Sequence, residues 1–418
     1  MTKGTAGNPD IRIPWAGRPV SLNELEEQLA FLWKMSADNM RTGSNLNVRT
    51  SILNLLICVP DIETAQRASA LLRYLSTTHL ARVTILILDR STEADALFAW
   101  ATLRCFSVIS DLMRHCFEQT TLLLSGSALR SAANIVRPLL KPDLPVYLWW
   151  IGEPASNDTI FKGLVELSNR VIIDSHTFFN PEQDLQALVS LLQTHQDIAI
   201  SDMNWGRITP WRQLVAQFFD TPQYLPYLSG INAIEIEHAV APLAMPFRSE
   251  GGEISPNPTC ALLLAGWLKG RLGLQLSVDA EEKLQESESG TYQWQMERTL
   301  TVNMTGPLSG PPRTRKKTQR TTLDIIPRVY PELTPGTICR VTLKSQMENK
   351  TANFTINREN DLEHVLTTIE LSQETRPQRT VSLAANCEES ALLQDELEIT
   401  GRDYSFEETL RELTDLLE

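Results

Sequence analysis

What most restricts this chain is an alternation of short apolar runs with helix-patterned stretches. SILNLLICVP opens the pattern at residues 51–60, DIETAQRASALLRYLSTT follows with apolar residues at helical spacing, and ARVTILILD at residues 81–89 is apolar again. A strand, a helix and a second strand in that order place parallel strands side by side with the helix crossing over one face. Strands near 96–109 and 117–125 extend the pattern. A helix from Ser127, the strand PVYLWWIG, a helix near 157–168, the strand RVIIDS and a helix over 183–194 follow them. Strands so rich in Val, Ile and Leu are covered on both faces, which predicts a Rossmann-like α/β fold with a mainly parallel sheet. The adjacent pair before residue 126 is free to pair antiparallel.

Residues 209–219 read as a helix, INAIEIEHAV as a strand, and PTCALLLAGWLKGRLGL as a helix with Pro258 near its start. Near residue 280 the texture changes. EEKLQESESG and GPLSGPPRTRKKTQR are polar or rich in Pro and Gly, and TYQWQMERTLTVNM, TICRVTLKS, TANFTIN and QRTVSLA are β-biased. Three parts are expected. Residues 1–50 form an N-terminal helical segment in which Ser21 and Glu24 are spaced as a capping pair. Residues 51–280 form the Rossmann-like domain, and 281–418 a smaller, antiparallel, β-rich domain ending in an acidic helical tail. From Asn386 onward the chain carries two basic and eleven acidic residues, most of its net charge of −13.

With 38 Lys and Arg against 51 Asp and Glu, the chain repels a phosphate backbone, so no nucleic-acid partner is expected. No apolar run reaches membrane-spanning length and the N-terminal residues lack the apolar stretch of a signal peptide, which predicts a cytoplasmic protein with no membrane partner. The six cysteines show no metal-ligand spacing. Cys58 and Cys105 read as buried, inert thiols, and Cys387, beside Glu388 and Glu389, as an exposed one. The histidines have no metal-site spacing, so neither a metal nor a cofactor is called for.

Four candidate sites remain. Ser125, Gly126 and Ser127 form a strand-to-helix turn whose N–H groups could hold a phosphate, although no G-x-G-x-x-G or Walker lysine accompanies them. Asp174, Ser175 and His176 end a strand, where open α/β sheets keep ligands, but their spacing is not that of a catalytic triad. Trp205, Arg207, Trp211 and Arg212 lie within eight positions. They read either as a docking surface, with Trp149 and Trp150, or as an aromatic core whose arginines pair with carboxylates such as Asp202 or Asp220. Arg313, Arg315, Lys316 and Lys317 read as a solvated loop able to meet an anion. No catalytic set is evident.

The stretches PLLKPDLPVYLWWIGEP, RVIIDS, DMNWGRITPWRQLVAQFFD and LLLAGWLKGRLG resemble the OpcA family of glucose-6-phosphate dehydrogenase assembly proteins over residues 138–274. The matching positions are Asp143, Pro145, Trp149, Trp150, Asp174, Ser175, Trp205, Arg207, Trp211, Arg212, Asp220, Gly266 and Trp267. The resemblance implies a non-enzymatic partner that binds glucose-6-phosphate dehydrogenase, promotes its active oligomer and raises its activity. It would thereby control oxidative pentose phosphate flux and NADPH supply. For photosynthetic members it also implies thioredoxin-linked control, for which no closely spaced cysteine pair is present here. The other reading left by the residues is a cytosolic sugar-phosphate or nucleotide-binding enzyme that uses the two strand ends, with Arg207 or Arg212 as its anion clamp.

Overall fold

The computed structural model describes residues 13–40, 46–49, 51–75, 81–109, 113–154, 158–240, 257–277, 291–304, 313–347, 350–358, 363–372, 374–375, 379–383 and 388–417. The chain forms two compact units. The first comprises Met1–Asp174, Ser190–Met203 and Glu389–Arg402, and the second Ser175–Val189, Asn204–Glu388 and Asp403–Glu418. Among the described residues the α-helices are α1 (Leu25–Met40), α2 (Ile62–Leu75), α3 (Ala132–Val136), α4 (Thr159–Val165), α5 (Pro181–Thr194), α6 (Met203–Arg207), α7 (Thr209–Phe219), α8 (Thr259–Leu272), α9 (Glu389–Glu398) and α10 (Tyr404–Leu417).

The first unit holds a sheet of β1 (Arg18–Val20), β2 (Leu46–Arg49), β3 (Leu53–Val59), β4 (Ala81–Asp89), β5 (Ala96–Ile109), β6 (Met113–Ser125), β7 (Val146–Trp150), β8 (Arg170–Ile173) and β9 (Ala199–Asp202). From β6 across β4, β3, β7 and β8 to β9 every pairing is parallel. Counted along the chain that order is 3-2-1-4-5-6, the doubly wound arrangement of dinucleotide-binding folds. All seven residues of β3 are buried, as expected of a central strand with both faces covered. The pair before residue 126 is antiparallel, with Ala96 opposite Ser125.

That register sets Cys105 directly opposite Cys116, and the two form a disulfide with Cα atoms 4.1 Å apart. Cys105 is therefore an exposed member of a bridge rather than a buried thiol. Residues far apart in spacing rules meet because hairpin pairing folds the chain back on itself. Cys58 is buried, and desolvation pushes its thiol above the ordinary range, whereas Cys387 lies outside the described residues.

The N-terminal helix is part of the first unit. Ser21 precedes a single 3-10 turn and makes no side-chain cap; it is the Ser21 carbonyl that accepts from the Glu24 N–H, at 3.0 Å. Trp33 of α1 donates to Glu118 Oε1 at 2.7 Å, and Arg82, 4% exposed, pairs with Glu118 at 3.0 Å and with Glu26. The start of the acidic tail also belongs here. Leu392, Leu393 and Leu397 of α9 join the core around β3 and β4, and buried Arg170 donates to the carbonyls of Ile399 (2.8 Å) and Gly401.

The second unit is built on β10 (Ile231–Val240), β11 (Gln275–Leu276), β12 (Tyr292–Met304), β13 (Arg313–Val329), β14 (Ile338–Met347), β15 (Lys350–Arg358), β16 (His364–Leu371), β17 (Glu374–Thr375) and β18 (Arg379–Ser382). The order is β11-β12-β13-β10-β14-β15-β16-β17, with β18 on β16. The pairing is antiparallel except between β10 and β13, which run parallel. The strand INAIEIEHAV thus lies in the middle of the second sheet, and the change of sheet falls before residue 231 rather than near 281. Its apolar alternation suits either sheet, so composition could not assign it. The polar stretch 281–290 lies outside the described residues.

Trp294, Met296, Leu323, Ile325, Ile234, Ile236, Phe354 and Ile356 fill one face of this sheet. Helix α8 is buried from Thr259 to Gly266, which matches its unbroken apolar sequence. Against it packs α10, whose Phe406, Leu410, Leu413 and Leu416 are buried. Gly266 permits this approach: a Cβ there would stand 2.8 Å from Leu413 Cγ and 3.0 Å from the Thr409 carbonyl oxygen.

His238 sits in the middle of this sheet at 0% exposure, and burial pushes its pKa down to about 4. An unfolded histidine takes a proton near pH 6.5, whereas this one stays neutral until the pH is well below that. Its contribution is complete above pH 6.5 and is lost as the pH falls toward 4, a change of about 3 kcal/mol. Urea unfolding of the wild type and of His238→Gln should show the gap between them shrinking from pH 7.5 to pH 4.5. A gap independent of pH would remove His238 from the acid response.

Candidate functional site

In a doubly wound sheet the pyrophosphate of a dinucleotide rests on the turn after the first strand, where glycines let the backbone come close. Here β3 runs into Pro60 and Asp61. Proline supplies no N–H, and the Asp61 carboxylate itself accepts from Thr64 N (2.7 Å) and Thr64 Oγ1 (3.1 Å). The other predicted turn is filled in the same way. Ser127 N donates to Asp95 Oδ1 at 2.6 Å, and Ser125 Oγ donates to the Ala94 carbonyl at 2.6 Å. Gly126 has φ +59°, and a Cβ on it would lie 2.5 Å from Asp95 Oδ1. The Ser127 N–H and hydroxyl hold the Asp95 carboxyl below the usual range. A carboxylate of the chain stands at each position where a phosphate would be cradled, so these residues do not fit a dinucleotide.

The tryptophans of the sequence pattern are interior. Trp149 is 0% exposed, Trp150 6%, Trp205 4% and Trp211 3%. The two on β7 are neighbours in a strand and so point to opposite faces of the sheet. Both are covered because helices pack on both faces of the sheet: Trp149 enters the core, and Trp150 stands edge-on to Phe161 of α4 at 4.8 Å and donates to the Glu153 carbonyl at 3.0 Å. Arg212 lies over the Trp205 ring at 3.4 Å, and its Nη2 donates to Thr209 Oγ1 at 2.7 Å. Desolvation pushes its pKa down to about 10, and Asp403 opposes that shift. The carboxylate set against this stack is that of Asp403. Its Oδ2 accepts from Trp205 Nε1 at 2.8 Å, while its Oδ1 caps α10 by accepting from Phe406 N at 3.0 Å.

Arg207 faces a different place. With Arg358, His176, Thr334, Thr337 and Trp211 it lines a cleft of about 310 Å³ inside the second unit. Arg358 ends β15, is 7% exposed, donates from Nε to the Ile338 carbonyl at 3.4 Å and lies 5.8 Å from the centre of the Trp211 ring. A buried polar network fixes the wall that carries His176. Asn257 Nδ2 donates to the carbonyls of His176 (2.8 Å), Ser175 (3.2 Å) and Phe178 (3.2 Å), and Asn257 Oδ1 accepts from Thr259 N at 3.0 Å. Asn204 Nδ2 reaches Ser175 Oγ and Thr259 Oγ1, each at 3.0 Å, and its Oδ1 accepts from the Cys260 thiol at 2.9 Å. Gly336, at φ +88°, closes the loop over this wall; a Cβ would lie 2.6 Å from the Asn257 carbonyl oxygen.

Of the residues singled out in the sequence, His176, Arg207 and Trp211 meet at this cleft, while Trp149, Trp150 and Ser125–Ser127 belong to the first unit. The basic run is not a loop. Arg313, Arg315, Lys316 and Lys317 belong to β13 and pair with Met304, Val302, Thr301 and Leu300 of β12; Lys316 and Lys317 are exposed. The side chains of Arg313 and Arg315 lie outside the described part. Arg358, Asn204, Asn257 and Asp403 carry the geometry without having been singled out. The Asn-Pro step at 257–258 and an Asp three residues before Phe406 were the available signals. Among the described residues no group of three His, Cys, Asp or Glu is placed to hold a metal ion, and no helix is long and apolar enough to cross a membrane.

The profile described as glucose-6-phosphate dehydrogenase subunit N-terminal domain matches residues 73–190, and the corresponding C-terminal domain profile matches 198–410. OpcA of Synechocystis sp., provisionally named an OxPP cycle protein, is 34% identical over 157 residues, 38% of this chain and 30% of that protein. The protein of the same name in Nostoc punctiforme is 34% identical over 160 residues, 38% of this chain and 31% of the relative. The chain thus spans about a third of the length of the curated relatives it matches. Among solved structures, scyllo-inositol dehydrogenase of Lactobacillus casei aligns with a TM-score of 0.39 at 8% identity, covering 88% of this chain and 96% of that one. For myo-inositol 2-dehydrogenase of Lactobacillus plantarum the TM-score is 0.39 at 10% identity, with coverages of 86% and 94%. With both halves of the sequence matched by its profiles, the chain belongs to the OpcA family of glucose-6-phosphate dehydrogenase assembly proteins.

Proposed function

We propose that this protein is a non-enzymatic assembly factor that binds glucose-6-phosphate dehydrogenase, promotes its active oligomer and raises its activity. It thereby governs oxidative pentose phosphate flux and NADPH supply from the cytoplasm. The observation that carries this proposal is the match of the two subunit profiles to residues 73–190 and 198–410. The occupied turns at Asp61 and Asp95 support it, because a doubly wound sheet that spends its anion-binding backbone on its own carboxylates is suited to a role other than hydride transfer. Activation is then a coupling free energy, in which the protein binds the active dehydrogenase conformation more tightly than the inactive one. The buried tryptophans enter as scaffold, shaping the units that dock rather than touching the partner.

The test is a titration of the same organism's dehydrogenase with this protein, following glucose-6-phosphate oxidation and elution size together. A saturable rise in rate accompanied by co-elution is expected. An unchanged rate and size, with the dehydrogenase shown to be competent, would overturn the proposal. The competing reading, a sugar-phosphate enzyme, draws support from the Arg207 and Arg358 cleft. It would require this protein alone to consume a sugar phosphate.

A further inference from the structure

We propose that the cleft in the second unit is a binding site for the phosphoryl group of a small phosphomonoester. Two guanidinium groups, an imidazole and two threonine hydroxyls line one space of about 310 Å³, and none of the described lining residues is acidic. Guanidinium forks match the oxygens of a phosphate, and hydroxyls complete a donor set around a tetrahedral anion. A carboxylate, with two oxygens in a plane, would use fewer of these donors. The volume lies at the small end of ligand pockets, which suits a monosaccharide phosphate better than a dinucleotide. Trp211 and its apolar neighbours give the carbon skeleton a wall, as expected of a site that grips one charged end and packs the other.

The site is also preorganised. Asn257 holds the backbone carbonyls of Ser175, His176 and Phe178, Gly336 brings the opposite loop within contact, and Arg358 is held by the Ile338 carbonyl and set over Trp211. Little ordering remains to be done when a ligand enters, so its binding energy is not spent on closing a loop. The contrast with the first unit is informative. There the chain fills its phosphate-like places with Asp61 and Asp95, whereas here the lining brings together cations and hydroxyls.

Isothermal titration of the full chain with glucose 6-phosphate, inorganic phosphate and glucose tests this without any dehydrogenase present, so its failure leaves the assembly role untouched. Saturable binding of the phosphorylated probes and none of glucose is expected. Arg207→Gln should weaken that binding about tenfold or more, the effect of losing a charge-assisted hydrogen bond. Arg207 is half-buried, and an unchanged unfolding midpoint would confirm that the variant folds; Arg358→Lys, which keeps the charge but loses the fork, serves as a second variant and should also weaken binding. Tighter binding of glucose 6-phosphate than of phosphate would identify a sugar phosphate as the ligand, and equal binding the free anion. The proposal is overturned if neither phosphorylated probe binds, or if both variants bind as the wild type does.

Discussion

Asp403→Ala should lower the stability of the second unit by about 3 kcal/mol. One carboxylate performs three tasks: it caps α10 through Phe406 N, accepts from the Trp205 indole, and opposes the desolvation of Arg212. Loss of an N-cap costs about 1 kcal/mol. A hydrogen-bond donor left unsatisfied inside the protein costs about 1 kcal/mol or more, and removing the countercharge of a largely buried guanidinium adds a comparable amount. Asp403→Asn keeps a competent cap and a neutral acceptor, so it should lose about half as much. Urea unfolding of the two variants beside the wild type would show the order wild type, Asn, Ala. Equal midpoints for Asn and Ala would mean that capping contributes nothing and that the charge alone matters.

An equally large effect is expected at the seam between α8 and α10. Lys269 is 2% exposed, and its ammonium lies 2.5 Å from Glu412 and 2.8 Å from Asp415. The combined change Glu412→Gln and Asp415→Asn leaves that charge buried without its anions, a loss of about 3 kcal/mol or more. The reverse change should be mild. Glu412 and Asp415 are 32% and 59% exposed, so in Lys269→Met they turn to water, and the methionine fills the space of the lysine stem at a cost of about 1 kcal/mol or less. Adding Lys269→Met to the double variant should therefore restore most of the lost stability. A triple variant no better than the double would show that the carboxylates act through something other than Lys269.

Much of the fold was readable because local pattern and burial coincide. The β3, β4 and β7 runs are apolar on both faces, which only a covered parallel sheet tolerates, and α7 and α8 begin and end close to their sequence signals. What pattern cannot encode is which distant segments meet. INAIEIEHAV alternates equally well for either sheet, and Cys105 becomes a neighbour of Cys116 only through the register of an antiparallel pair. The candidate site divides in the same way. Trp205 and Arg212, close in sequence, form a stack of indole and guanidinium, but its third member, Asp403, comes from the acidic tail, which nothing in the local pattern joins to them. Arg207 and His176 were visible in the sequence. Arg358, the last residue of an ordinary alternating strand, became their neighbour only through tertiary structure.

The carboxylates of Asp61 and Asp95 behave as tethered competitors. A ligand joined to its site by a short stretch of chain acts at an effective concentration on the order of millimolar even when the link is flexible, and Asp61 is only three residues from the N–H it holds. A soluble nucleotide would have to reach comparable levels merely to compete, and would meet a negative charge already in place. Occupancy of these turns is therefore set by covalent structure and is insensitive to the size or redox state of the coenzyme pool.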